Sequence, residues 1–541
     1  MHRSTLAKRV HFFLLLAFII FYFYGLGHLP LLGPDEPRYA QVAREMFLRG
    51  DYVTPTLGGH TWFEKPALLY WMEIAAFKIF GVSEWSARLG PAICGLLTIA
   101  AIWKLARKVE LATTNRDWPG YANWSALIAA SCLGLIGFSR GASFDIVITM
   151  TTAWALTLFC YAELTGDRRE QNWLLFGFYC LVGVSLIAKG LVGIVIPFGV
   201  VGMYYLLLRE WPKRNVLLSL LWGLPLSILV SSLWYGPVIY KHRWLFIDEF
   251  FIQHHFARYL SNKYHHPQPF YFYALVLLLL TIPWTPFLID ALFRTKHWTW
   301  RGRDSLSRLM VFSLAWLLFP IIFFSFSGSK LPGYILPVLP GALMLIGMRV
   351  TRVQLDGRPV WPIRATGAIW FFIGSGGLVY ALRVAHFPTV TSILAASAPI
   401  VAGLIAIFRT RTQSLALSSV AASVMITIVI ILNCGAIDLV RRESTRDLLR
   451  LADAKGYSNL RVLALPADDR SAQFYASGRV IYGSDGEAKS VYDAPQAVAE
   501  ARQRNEKLLA FIKVRDLSLY REKPGVEIIG DNGKLALVCL F

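Results

Sequence analysis

Residues 174–209 read LLFGFYCLVGVSLIAKGLVGIVIPFGVVGMYYLLLR, two apolar runs broken only at Lys189 and Gly190. A helix rises about 1.5 Å per residue, so each run is close to the ~20 residues that cross a hydrocarbon core. Helices in water need a polar face, and neither run has one. The same texture fills most of the chain. Of 541 residues, 55% are hydrophobic, 14% aromatic and only 16% charged, and the mean hydropathy is +0.49. These values exclude a soluble protein and predict a polytopic α-helical membrane protein.

Further apolar runs lie near 10–27, 86–104, 121–139 and 146–164 before this stretch. Others follow it near 215–235, 270–292, 309–327, 334–349, 365–384, 390–408 and 414–436. With 172–188 and 190–208, that makes about 13 transmembrane helices. If His2, Arg3, Lys8 and Arg9 are cytoplasmic, every second connection should be rich in Lys and Arg. Lys104, Arg107 and Lys108, then Arg168 and Arg169, then Arg209, Lys213 and Arg214 obey this, as do Arg294 to Arg308, Arg349 to Arg364, and Arg409 with Arg411. The net charge of +20 is therefore scattered through short loops. That suits anionic membrane lipids as partners and excludes nucleic acid, for which a basic domain or RNA-binding signature is missing. The first apolar run ends in FYFYG, without a small-residue cleavage site, and is read as a retained span.

After residue 436 the character changes. LRVLAL, RVIYG, KLLAFIKV, VEIIG and LALVCLF alternate with polar helical stretches, which predicts an α/β domain over 437–541, distinct from a membrane domain over 1–436. An odd number of spans places it on the outer, periplasmic side. The first outer loop, about 27–85, is assigned to the membrane domain, and its stretches PRYAQVAREMFLRG and ALLYWMEIAAFKIFG are expected as amphipathic juxtamembrane helices on the membrane surface. The six cysteines show no disulfide or CxxC spacing and read as buried thiols.

Polar chemistry collects on the same outer side. GPDEPRYA places Asp35, Glu36 and Arg38 just outside the first span; HTWFEKPALLYW supplies Trp62, Glu64 and Lys65; SFDIVIT places Asp145 at the start of a span. Lys189 sits in a connection too short to hide it, where it either snorkels to head groups or binds an anion. The loop IDEFFIQHHFARYLSNKYHHPQPFYFY adds His254, His255 and Arg258, and SGSKLPGYILP adds Lys330 and Tyr334. His and Arg three or four apart share a helix face and suit a phosphate, or with Glu64 a zinc ion. Carboxylates, cations and a tyrosine converging on one leaflet suit a polyisoprenyl-phosphate sugar: cations for the phosphate, a carboxylate for the sugar or acceptor.

GPDEPRYA, FEKPALLYW, SFDIVIT, AKG, HHFARY with HHPQPFYFY, and SKLPGYILP occur in this order in the bacterial aminoarabinose (undecaprenyl-phosphate 4-amino-4-deoxy-L-arabinose) transferases of the GT-C glycosyltransferase superfamily. The chain resembles that family over about 20–345, and its span count with a C-terminal domain extends the likeness to the whole. The resemblance implies a GT-C fold and a multi-pass enzyme of the bacterial cell inner membrane with its active site facing the periplasm. Its implied donor is a polyprenyl-phosphate sugar and its acceptor lipid A or another envelope molecule. It assigns catalytic roles to Asp35 and Asp145, and phosphate or substrate binding to Lys65, Lys189, Arg258 and Tyr334. Arg38, Trp62 and Lys330 are placed beside them from the residues. No cofactor is required; some members carry a zinc ion between a glutamate and a histidine, here Glu64 and His255 or His254. Trp62 departs from the family tyrosine and loses its hydroxyl. Two alternatives stay open: a protein O-mannosyltransferase-like enzyme, and a lipid-linked sugar transporter. The second would more often show repeated halves and charges deep in spans, and neither is found in this sequence.

Overall fold

The computed structural model describes residues 2–112, 118–257, 268–409, 412–434, 440, 442–463, 470–484, 486–489, 494–521 and 523–541. It contains two compact units. One comprises Met1–Tyr24, Glu64–Leu69 and Pro91–Ile430; the other comprises Gly25–Phe63, Tyr70–Gly90 and Ile431–Phe541.

The first unit is a helical bundle. Among the described residues, nine helices are long and apolar enough to cross a membrane, including Phe144–Leu164, Arg168–Lys189 and Ser305–Ser325. Arg9–Phe23 and Val192–Leu208 are shorter apolar helices. Two expected spans are broken. The run 121–139 forms Tyr121–Ala130 and Leu133–Ser139, bent by 57°. There Cys132 is extended (φ −75, ψ 121) and the Leu133 N–H leaves the helix ladder for the Ile282 carbonyl at 3.0 Å. The run 270–292 forms Phe272–Leu280 and Thr285–Phe293. Pro283 lies between them and has no N–H to continue the first helix. Close helix approach rests on small residues: a β-carbon on Gly367 or Gly403 would lie 2.6 Å from the other's carbonyl oxygen. The segment Pro332–Asp356 is 94% buried in its apolar window, so it runs through the bundle's interior.

The second unit contains a four-stranded sheet. After the hairpin of β1 (Thr56–Leu57) and β2 (His60–Thr61), the strands are β3 (Arg461–Leu463), β4 (Leu508–Lys513), β5 (Val526–Asp531) and β6 (Leu535–Leu540). They lie in the order β3-β4-β6-β5, with β3 and β4 parallel and the other pairs antiparallel. Leu508, Ala510, Ile512 and Val538 form one core with Ala497, Val498 and Ala501 of helix Ala494–Arg504. Leu509, Phe511 and Leu537 form another with Leu448, Leu449 and Ala452 of helix Arg446–Ala454. A sheet covered on both faces has no use for a polar face, which is why LALVCL is apolar throughout. Among the described residues RVIYG, expected as a strand, makes only isolated bridges, Val462 with Val480 and Tyr482 with Ala488.

The expected boundary at 436/437 falls at 430/431, and the first outer loop divides differently from expectation. Its two amphipathic stretches are helical, Glu36–Arg49 and Leu68–Phe80. Residues 25–63 and 70–90 nevertheless belong to the same unit as the C-terminal sheet. The reason is local polar stitching. Arg44 donates to the Phe474 carbonyl at 2.7 Å and lies 4.4 Å from the centre of its ring. Arg446 and Tyr475 each donate to Glu84 at 3.1 Å. The apolar face of Glu36–Arg49, with Tyr39, Val42 and Met46, is buried in protein instead of being left for lipid.

Candidate active site

In the first unit the polar cluster sits at helix ends. The Ser143 hydroxyl caps helix Phe144–Leu164 by accepting the Asp145 N–H at 3.1 Å, which holds Asp145 in the first turn. Gly190 ends helix Arg168–Lys189 at φ 73, ψ −147, a conformation essentially confined to glycine, so Lys189 stands at the last helical position. Lys189 and Asp145 form an ion pair whose side chains are 13% and 22% exposed. The Lys189 Nζ lies 5.1 Å from the centre of the Tyr334 ring. Tyr334 is carried by the 3₁₀ turn Pro332–Val338. The turn comes so close that a β-carbon at Gly333 would overlap the Asp145 carboxylate and touch Phe138. An ammonium has three donors and Asp145 occupies one, so the pair has capacity to meet an anion.

Glu64 and Lys65 belong to the same unit and pair at 3.0 Å, both nearly buried. Helix Leu68–Phe80 starts two residues after Pro66, so the proline precedes its first turn. Lys330 donates to the Ser327 carbonyl at 2.8 Å and is 8% exposed, turned into its own loop. His254 is described; Arg258 and the side chain of His255 lie outside the described residues. Among the described residues no three His, Cys, Asp or Glu side chains gather as a metal-ligand set. Of the residues expected to hold a zinc ion, Glu64 and His254 are described and the side chain of His255 is not.

In the second unit, Asp35 immediately precedes helix Glu36–Arg49 but makes no capping hydrogen bond with its side chain. Its carboxylate is 55% exposed and accepts a hydrogen bond from Arg38 at 2.5 Å. The Arg38 guanidinium also lies 5.0 Å from the centre of the Trp62 ring, so Trp62 meets a cation before it meets any ligand. Glu36, the neighbour of Asp35, is drawn inward and forms a bidentate pair with Arg88 at 2.7 Å on each side. The separation of the two acids follows from helix geometry, since consecutive residues point about 100° apart.

Sequence reasoning missed Arg88, Glu73 and Tyr475. Arg88 opens an apolar run and reads as a span boundary, although an arginine inside such a run is a functional candidate by default. Glu73 is fully buried, and among the described residues neither of its oxygens has a hydrogen-bond partner. Burial first, and then the nearby Glu36 charge, raise its pKa well above the ordinary 4.5, so it is held as a neutral acid. A lone glutamate in an amphipathic apolar helix was the only available signal. Tyr475 gave none.

Fold and clusters define a polytopic integral membrane protein of GT-C architecture. ArnT from Cupriavidus metallidurans bound to undecaprenyl phosphate superposes with a TM-score of 0.77, 21% identity and 97% of each chain covered. The family model for dolichyl-phosphate-mannose-protein mannosyltransferases matches residues 64–235. The undecaprenyl phosphate-alpha-4-amino-4-deoxy-L-arabinose arabinosyl transferase of Pseudomonas aeruginosa (strain UCBPP-PA14) is 33% identical over 351 residues, 63% of this chain and 60% of the relative. The enzyme of that name from Aeromonas salmonicida (strain A449) is 30% identical over 349 residues, with the same coverage. The chain is similar to the aminoarabinose transferases over about three-fifths of its own length, and it shares the fold of the solved ArnT. The match spans about three-fifths of the length of these curated relatives.

Proposed function

We propose that the chain is a glycosyltransferase of the bacterial inner membrane. It moves an aminoarabinose-type sugar from undecaprenyl phosphate to lipid A or a similar envelope acceptor on the periplasmic face. The observation that carries this reading is the Lys189–Asp145 pair under the Tyr334 ring at the helix ends. A polyprenyl phosphate laid between helices presents its head group at such a place. Lys65, Lys189 and Arg258 neutralise the phosphate as it leaves, and Tyr334 flanks it. Asp35 orients the acceptor: a lipid A phosphate is already ionised and needs orientation, while a hydroxyl would also need Asp35 as base. Asp145, the second carboxylate, pairs with Lys189 and holds it in place, and Trp62 offers a stacking face for the sugar. The reaction needs no cofactor in this reading. Zinc bound through Glu64 and His254 or His255 remains a separate element, checked by metal content of the purified chain before and after Glu64→Gln.

Replacing Asp35 with Asn tests the reading. Transfer from an undecaprenyl-phosphate sugar should fall by about 10²-fold or more with the fold intact, and wild-type turnover would sink the role. Deleting the gene in its host and weighing lipid A by mass spectrometry tests the acceptor, with loss of a pentose-sized addition expected. The family-model match over 64–235 favours a second reading, transfer of a sugar to protein. Unchanged lipid A together with a lost hexose on envelope proteins would select it.

A further inference from the structure

The loop that delivers Asp35 takes its shape from two side chains outside it. All five donors of Arg88 are engaged there. Nε and Nη2 hold the two Glu36 carboxylate oxygens at 2.7 Å each; Nη1 donates to the carbonyls of Leu26 and Leu29 at 2.7 Å; Nη2 also reaches the Pro30 carbonyl at 2.8 Å. Arg88 is 5% exposed, so these bonds have little competition from water. Glu36 additionally accepts the Leu32 N–H at 2.9 Å. The other side chain is Tyr475, more than 400 residues along the chain. Its hydroxyl accepts the Leu31 N–H at 2.7 Å and donates to Glu84 at 3.1 Å. Glu84 is in turn fixed by Arg446. Every one of these residues belongs to the second unit.

A guanidinium offers five donors in a rigid fork, and lysine offers three on a flexible stem. Three carbonyls and one bidentate carboxylate around a single guanidinium leave the loop one arrangement, and Asp35 is the next residue before Glu36. Asp35 itself is half-exposed and, among the described residues, pairs with Arg38 three positions on, so its placement depends on the backbone beneath it. We propose that Arg88 and Tyr475 are positioning residues for Asp35. Arg88 acts through Glu36 and the loop carbonyls, and Tyr475 makes the C-terminal α/β segment part of the device that presents the acid. This rests on the glycosyltransferase reading for its consequence, though not for its geometry.

The test uses the purified full chain in detergent, with Arg88→Lys and Tyr475→Phe. Two quantities are read: amide exchange over residues 25–36, and steady-state transfer from an undecaprenyl-phosphate sugar. Tyr475→Phe should speed exchange at Leu31, and Arg88→Lys should speed it across 26–36. Both should lower kcat by about tenfold or more with the donor KM within about twofold. Unchanged protection of strand Leu508–Lys513 shows that the unit stays folded; if Arg88→Lys loses it, Tyr475→Phe decides. Wild-type exchange in the loop overturns the proposal, as does faster exchange with unchanged kcat, or a change confined to KM. A wild-type chain with no transfer from this donor would defeat the donor assignment alone, and loop exchange would still decide the positioning claim.

Discussion

Lys189 shows how one residue acquires meaning from its setting. An ammonium at a helix end, partly desolvated and paired, is costly unless its charge has a partner during the reaction. Removing it leaves Asp145 without its ion-pair partner and the proposed leaving phosphate with one cation fewer. Lys189→Ala should therefore lower kcat/KM by about 10²–10³, equivalent to ~2.7–4 kcal/mol of transition-state stabilisation. A transfer assay on protein of normal elution volume checks this. Gly333 gives a second, steric test. A methyl group there displaces the Asp145 carboxylate, so Gly333→Ala should abolish most activity and destabilise by about 1–3 kcal/mol. Gly376 faces open space, and Gly376→Ala should leave both thermal stability and turnover near wild type. Asp35, Asp145, Lys189 and Tyr334 were legible in the sequence because each is a polar residue where an apolar chain turns. Glu36 was legible only as a neighbour. Its inward turn to Arg88 depends on a contact 52 positions away.

At the scale of elements, helix Leu68–Phe80 carries a liability in Glu73. In the unfolded chain this glutamate ionises near pH 4.5; in the folded chain burial keeps it protonated to well above that. The unfolded state therefore binds fewer protons through that window, and stability falls as pH rises from about 4.5 toward the raised folded value. Each pH unit in the window costs about 1.4 kcal/mol for a group of this kind. Glu73→Gln should raise the Tm at pH 7–8, with the gain shrinking toward pH 4.5; thermal scans over pH in one detergent check it, and a gain independent of pH would refute it. The apolar runs themselves were readable as helices because their length and composition leave no other way to satisfy the backbone in lipid. Their breaks were not. The bend at Cys132 comes from the Leu133 N–H pairing with a carbonyl about 150 residues away, which no local window contains.

The whole molecule adds a prediction about its second unit. Residues 25–63 and 70–90 share that unit with Ile431–Phe541, so a chain cut after residue 430 loses Tyr475, the partner of the Leu31 N–H in the Asp35 loop, and Arg446, the partner of Glu84. Such a chain should still insert into membranes yet show no detectable transfer; fractionation and a transfer assay on membranes check both halves of the claim. By itself the sequence determined that the chain is helical and membrane-embedded, that an α/β segment ends it, and which polar motifs sit where apolar runs turn. Those features depend on composition and short spacing. Only the tertiary structure decided that residues 25–63 and 70–90 of the first outer loop share a unit with the C-terminal sheet, that Glu36 turns away from Asp35 to Arg88, and that Lys189 meets Asp145 beneath Tyr334. Each of these depends on hydrogen bonds and ion pairs between residues far apart in the chain, and their pairing is set by packing, which residue order does not encode locally.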